Sequence, residues 1–183
     1  MTPSPRPAGR RRPFVVDITA LSRGADPLQL RREGTCADLS VSGAHVDPDA
    51  TVAIEARLES VHEGILVTGT VTAPYAGECR RCLEPATGIV EVAVTELCTE
   101  AADGESTYAL SAQHLDLEPI VHDACILNLP LAPLCRADCL GLCPRCGANL
   151  NTERCSCGPA VDPRWQALAV FAGGAPEAQG QDG

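Results

Sequence analysis

Six of the chain's eleven cysteines fall within the stretch CRADCLGLCPRCGANLNTERCSC, positions 135–157. These residues are rich in Gly, Pro and polar side chains and almost bare of large apolar ones, so burial alone cannot hold them in one shape. Chemistry at sulfur can. Cys143-Pro144-Arg145-Cys146-Gly147 has the form of a zinc knuckle: two thiolates two residues apart grip one ion, and the glycine permits the tight turn. Cys155-Ser156-Cys157 follows after eight residues and supplies a second pair. Four thiolates complete a tetrahedral shell at about 2.3 Å each. Metal binding contributes about 10–16 kcal/mol to the folding of zinc-finger peptides, the energy such a stretch lacks.

With every position filled by protein no place is left for water, so the expected Zn²⁺ is structural and not catalytic. The ligands are expected to be Cys143, Cys146, Cys155 and Cys157. Cys135 and Cys139 stand in reserve, because the one-residue gap of the Cys155–Cys157 pair is tighter than usual. An iron–sulfur cluster and a redox switch are rival uses of the same thiols. Disulfides are disfavoured by the expected compartment. Arg11-Arg12-Pro13-Phe14 has a faint likeness to an export signal, but Asp17 breaks the apolar run that such a signal needs. No stretch approaches the roughly 20 apolar residues of a membrane span. The protein is therefore expected in the cytoplasm, where thiols stay reduced.

At 183 residues the chain is about one domain long with a small appendage. Aromatic residues make up 3% of it, so the core must be aliphatic. Residues 1–13 carry Pro and Arg and no acidic residue, and are expected to be a disordered tail. A β-rich domain is expected over 14–134. FVVDI and PLQLRR are short strand candidates. In TVAIEARLES, 51–60, Val52, Ile54, Ala56 and Leu58 alternate with Thr51, Glu55, Arg57 and Glu59, the period of a half-buried strand. ILVTGTVTA and IVEVAVTEL repeat the pattern, joined by turn-rich links, which predicts an antiparallel meander with one wet face. Residues 99–114 read as a loop. LDLEPIVHDACILNLPL then turns helical, with Asp116 as N-cap, Pro119 in the first turn, Leu117, Ile120, Val121 and Ala124 on one face and Pro130 closing it. A cysteine-rich extension over 135–172 ends in a short helix opened by Asp162-Pro163, with Trp165, Leu168, Ala169 and Ala172 on its face. Residues 173–183 are expected to be disordered.

Cys79-Arg80-Arg81-Cys82 poses a separate problem. A thioredoxin-like pair sits at a helix N-terminus, which lowers the thiol pKa. Here strand patterns flank the pair, and Pro85 follows closely. A local structural role is preferred; redox catalysis, or half of a metal site completed by the spare thiols, stays open. Arg80 and Arg81 read as solvated turn residues, with contact to a partner as the alternative. Cys36, Cys98 and Cys125 are read as small buried hydrophobes, and His122 as solvent-facing. No dinucleotide, phosphate-loop, hydrolase-elbow or zinc-protease motif is present, and nothing in the residues points to an enzyme or to a small-molecule substrate.

Taken in order, GECRRCLEP after two alternating strands, ILNLPLAPLC, GLCPRCGANLN, CSC and DPRWQAL resemble the YceD family of large ribosomal RNA subunit accumulation proteins, over about residues 14–172. The likeness is to the bacterial version with a C-terminal cysteine cluster. It implies that the β-rich region with Cys79, Arg81 and Cys82 is the shared part and that the metal-binding tail is an accessory. It also implies a non-enzymatic role in making or preserving the RNA of the large subunit. It carries over no catalytic residue.

The charge bears on how such a role is carried out. The net charge is −10, and all fourteen basic residues are Arg. Four of those lie in the first thirteen residues, leaving ten against 24 acidic residues in the body. A phosphate-binding face shows clustered basic residues. An acidic body suits a protein partner instead, such as a basic ribosomal protein held before assembly, or a large-subunit precursor carrying one. The alternative is a thiol-based redox or zinc-responsive regulator using Cys79–Cys82 and the spare thiols. The expected fold is α+β: an antiparallel, barrel-like curved sheet, then a helix, a zinc-bound Cys-rich loop and a short C-terminal helix.

Overall fold

The computed structural model describes residues 12–23, 25–102, 107–158 and Arg164. The chain divides into two compact units, one up to Cys139 and one from Leu140.

The first unit is mostly sheet. Its strands are β1 (Val15–Asp17), β2 (Leu28–Gly34), β3 (Ala44–His45), β4 (Val52–Val61), β5 (Gly64–Glu78), β6 (Pro85–Thr99), β7 (Tyr108–Ala109) and β8 (His114–Asp116), followed by helix α1 (Glu118–Asn128). The three alternating runs form the long strands β4, β5 and β6, because a period of two puts each strand's aliphatic residues on one face. Val52, Ile54, Ala56 and Leu58 of β4, Ile65, Val67, Val71 and Ala73 of β5, and Val90, Val94 and Cys98 of β6 are all buried. Their polar alternates face outward, where Arg31 pairs with Glu33 and Glu55, and Arg57 with Glu59.

The main sheet runs β2-β4-β5-β6-β7, with β3 added beside β5; β1 and β8 form a separate pair. This order is a path and not a ring. Among the described residues β2 and β7 are not joined, so the sheet is open and forms no closed barrel. Nor is it wholly antiparallel, since β7 lies parallel to β6 with Cys98 opposite Tyr108. Strands β7 and β8 fall in or against the stretch read as a loop; two or three residues are too few to show a period.

Helix α1 lays Ile120, Val121, Ala124 and Cys125 against the sheet. Its start differs from expectation by one residue. Leu117 is the N-cap, and Asp116, just outside, accepts a 3.0 Å hydrogen bond on its carboxylate from the Glu118 N–H. Asp116 still satisfies a helix-end donor, which is the reason an acidic residue stands there. Leu129 ends the helix in an extended conformation ahead of Pro130. Cys36, Cys98 and Cys125 all lie inside this aliphatic core, as does Phe14.

The described residues of the second unit have little regular structure. An isolated bridge joins Leu142 to Asn149, and the Leu150 N–H donates to the Gly141 carbonyl. The terminal helix expected from Asp162-Pro163, with Trp165, Leu168, Ala169 and Ala172, lies outside the described residues. So do most of the N-terminal tail and all of residues 173–183.

Candidate functional site

Strand β5 ends at Glu78, opposite Pro85 at the start of β6, and the six residues between them make the hairpin turn that carries Cys79 and Cys82. The Cys79 N–H donates to the Glu84 carbonyl at 2.8 Å, and the Leu83 N–H to the Cys79 carbonyl at 2.9 Å. Leu83 takes a left-handed φ of 62° to allow this. The turn at Cys143–Cys146 is built the same way. The Cys143 N–H donates to the Ala148 carbonyl at 2.8 Å, and the Gly147 N–H to the Cys143 carbonyl at 2.9 Å, with Gly147 at φ 74°. Each turn thus folds two thiols onto one side of a loop, the geometry of a metal-gripping knuckle, and neither stands at a helix N-terminus.

The partners of the first turn come from the segment after α1. Its approach requires Gly43, where a Cβ would lie 2.3 Å from the Leu131 carbonyl oxygen. The Arg80 N–H donates to the Pro133 carbonyl at 2.9 Å, and the Arg81 guanidinium donates to the Cys139 carbonyl at 2.8 Å. These bonds bring Cys135 and Cys139 to the hairpin. Cys79 Sγ lies 3.7 Å from Cys139 Sγ, and Cys82 Sγ lies 3.5 Å from Cys135 Sγ. All four sulfurs lie within 4.8 Å of one another. Sequence reasoning held Cys135 and Cys139 in reserve for the C-terminal cluster; the structure groups them with Cys79 and Cys82. Arg81, read as solvated, has an internal partner.

In the second unit Cys143, Cys146, Cys155 and Cys157 also gather within 4.8 Å, with Cys155 Sγ at 3.3 Å from Cys143 Sγ and 3.5 Å from Cys146 Sγ. Two asparagines, whose role the sequence did not disclose, order the link between the pairs. Asn149 Oδ1 accepts from the Asn151 N–H at 3.0 Å and from its amide at 2.8 Å, while Asn151 Oδ1 accepts from the Leu140 N–H at 2.8 Å. The signal was the Asn-x-Asn spacing: a short amide side chain bonding a backbone two residues on takes the place of an apolar core.

The spacings discriminate among uses of sulfur. A disulfide holds its sulfurs at about 2.05 Å. A tetrahedral ion with 2.3 Å bonds sets its thiolates about 3.8 Å apart. An iron–sulfur cluster interposes its own atoms and holds its ligands wider. Both groups match the single-ion spacing, so each could hold one metal ion.

The electrostatics agree. Burial tends to raise the Cys79 thiol, but backbone N–H groups of Cys135, Cys82 and Arg81 outweigh it and bring it down to about 6. Backbone N–H groups of Cys146 and Arg145, with the Cys155 thiol, bring Cys143 down to about 6. Cys135, bonded to the Cys82 thiol, is pushed up to about 12. For Cys155, the Cys157 N–H lowers the pKa, but the thiols of Cys143, Cys157 and Cys146 prevail and push it up to about 12. Four sulfurs this close cannot all ionise alone; a dication resolves the conflict.

Fold and thiols define a class: a mostly β-sheet protein with one helix among its described residues and two four-cysteine groups of metal-binding geometry. The family model described as "Large ribosomal RNA subunit accumulation protein YceD" matches residues 67–172, a range that contains both cysteine groups. An uncharacterized protein of Mycobacterium tuberculosis (strain H37Rv) is 38% identical over 170 residues, covering 88% of this chain and 82% of its own. One of Mycobacterium leprae is 35% identical over 181 residues, covering 93% and 83%. A Zea mays protein named "Large ribosomal RNA subunit accumulation protein YCED homolog 1, chloroplastic" is 24% identical over 163 residues, covering 67% and 56%. The chain belongs to the YceD family. No solved structure matches it significantly. No described helix is long and apolar enough to cross a membrane.

Proposed function

We propose that this protein is a non-enzymatic, cytoplasmic factor that supports accumulation of large-subunit ribosomal RNA and assembly of the large ribosomal subunit. The observation that carries this reading is the family match across β5, β6, α1 and both cysteine groups. The net charge of −10 supports action through a protein partner, a basic ribosomal protein or a precursor particle that presents one, more than through a phosphate backbone. Cys143, Cys146, Cys155 and Cys157 hold a structural Zn²⁺ in this reading, since four protein thiolates leave no coordination position open. Depletion of the protein is expected to lower large-subunit RNA relative to small-subunit RNA, read by quantifying both in total RNA. An unchanged ratio in fully depleted cells defeats the reading.

A second reading, a thiol-based redox or zinc-responsive regulator, draws on one observation: Cys146 and Cys157 are exposed and Cys155 is half-buried. Alkylation rates separate the two, because a sensor thiol reacts readily while a structural centre shields its thiolates until the metal is removed.

A further inference from the structure

Seven cysteines are buried in this chain; Cys143 belongs to the C-terminal group, and the other six fall into two kinds. Cys36, Cys98 and Cys125 are part of the aliphatic core. Cys79, Cys82 and Cys139 are equally buried, at 0%, 4% and 3% exposure, yet none belongs to that core. Apolar packing therefore accounts for the first three and not for the second. Cys79, Cys82 and Cys139 instead gather their sulfurs together, with Cys135 as the fourth of the group.

We infer that Cys79, Cys82, Cys135 and Cys139 form a zinc centre of their own, so that the folded chain carries two ions, one in each unit. The knuckle turn at Cys79–Cys82 repeats, bond for bond, the backbone hydrogen bonds of the turn at Cys143–Cys146. Its sulfur separations of 3.5 and 3.7 Å suit one tetrahedral ion and exclude a disulfide in this arrangement. On binding, each thiol gives its proton to solvent and its lone pair to the ion, with no change of oxidation state.

The two pairs are 53 and 60 residues apart across the facing sulfurs. The ion is thus a long-range clasp, fixing the segment after α1 to the β5–β6 hairpin alongside the hydrogen bonds from Arg80 and Arg81 and the packing of Pro133 near Gly77. This centre belongs to the sheet unit, and the inference rests on sulfur geometry rather than on the ribosomal reading.

The test uses the full chain purified from zinc-replete cells without chelator. Elemental analysis is expected to give about two zinc equivalents, falling to about one in Cys82→Ser/Cys135→Ser and to about one in Cys146→Ser/Cys157→Ser. Because a variant can misfold, the unaltered chain is also exchanged into ¹¹³Cd²⁺. Two cadmium resonances in the four-thiolate range are expected, one coupled to the β-protons of Cys79, Cys82, Cys135 and Cys139. A single equivalent and a single resonance coupled only to Cys143–Cys157 overturn the inference, as does a disulfide mapped between any two of the four.

Discussion

Leu83 and Gly147 occupy the same place in two equivalent turns, with φ of 62° and 74°. A left-handed backbone costs a residue with a Cβ about 1–2 kcal/mol and costs glycine nothing. No atom lies within 4 Å of a Cβ built on Gly147, so Gly147→Ala tests backbone conformation alone. It is expected to destabilise the C-terminal knuckle by about 1–2 kcal/mol, measured as weaker zinc retention in competition with a chelator. Leu83→Gly is expected to leave the first turn as stable or stabilise it by up to about 1 kcal/mol in thermal melting. Leu83 is 63% exposed, so little packing is lost. The buried core thiols give a pH dependence of definite sign. Burial pushes Cys98 and Cys125 up to about 11, above the ordinary thiol value near 9. Their folded pKa is raised, so their contribution is fully present below about pH 9 and is lost as pH rises towards 11. Chemical denaturation at pH 8 and at pH 10.5, compared between the unaltered chain and Cys98→Ala, is expected to show a smaller alkaline loss in the variant.

Among the elements, the three long strands were legible because side-chain alternation survives any loop chemistry around them. Their far ends were not. The alternating runs stop at Ala73 and resume at Ile89, yet β5 and β6 run on through Pro74, Gly77, Pro85 and Gly88. The reason is local: β4 pairs with β5 only as far as Thr72, so Pro74 lies where its missing N–H deprives no β4 partner. The C-terminal group of four thiols was legible because its pairs are nearly adjacent in sequence. The first group was readable only as a half-site, since nothing in the order of residues says that a turn at 79–82 meets a segment at 135–139. That meeting depends on Gly43 and Arg81. Gly43→Ala is expected to cost about 1–3 kcal/mol in denaturant unfolding, because the colliding atom is the Leu131 backbone oxygen, which cannot swing aside. Arg81→Ala removes the bond to the Cys139 carbonyl and is expected to cost about 1 kcal/mol. Arg81→Lys is expected to recover part of that loss, through a point charge without the planar fork.

On the scale of the whole chain, two units rest on different physics. The sheet unit buries an aliphatic core that includes Phe14, Ile54, Leu58 and Ile120. Among the described residues from Leu140 on, few apolar side chains are buried, Cys143 being one of the buried residues, and this stretch is expected to depend on its four thiols. Metal removal is therefore expected to act unequally. The most direct measurement is the amide chemical shifts of the full chain before and after complete stripping of metal by a chelator, under reducing conditions. Signals of residues 140–158 are expected to collapse into the unfolded range and return on addition of Zn²⁺, while those of β4, β5 and α1 keep their dispersion. Shifts of residues 140–158 that stay unchanged in a chain shown to be free of metal contradict the claim that thiolate-bound metal gives this unit its shape.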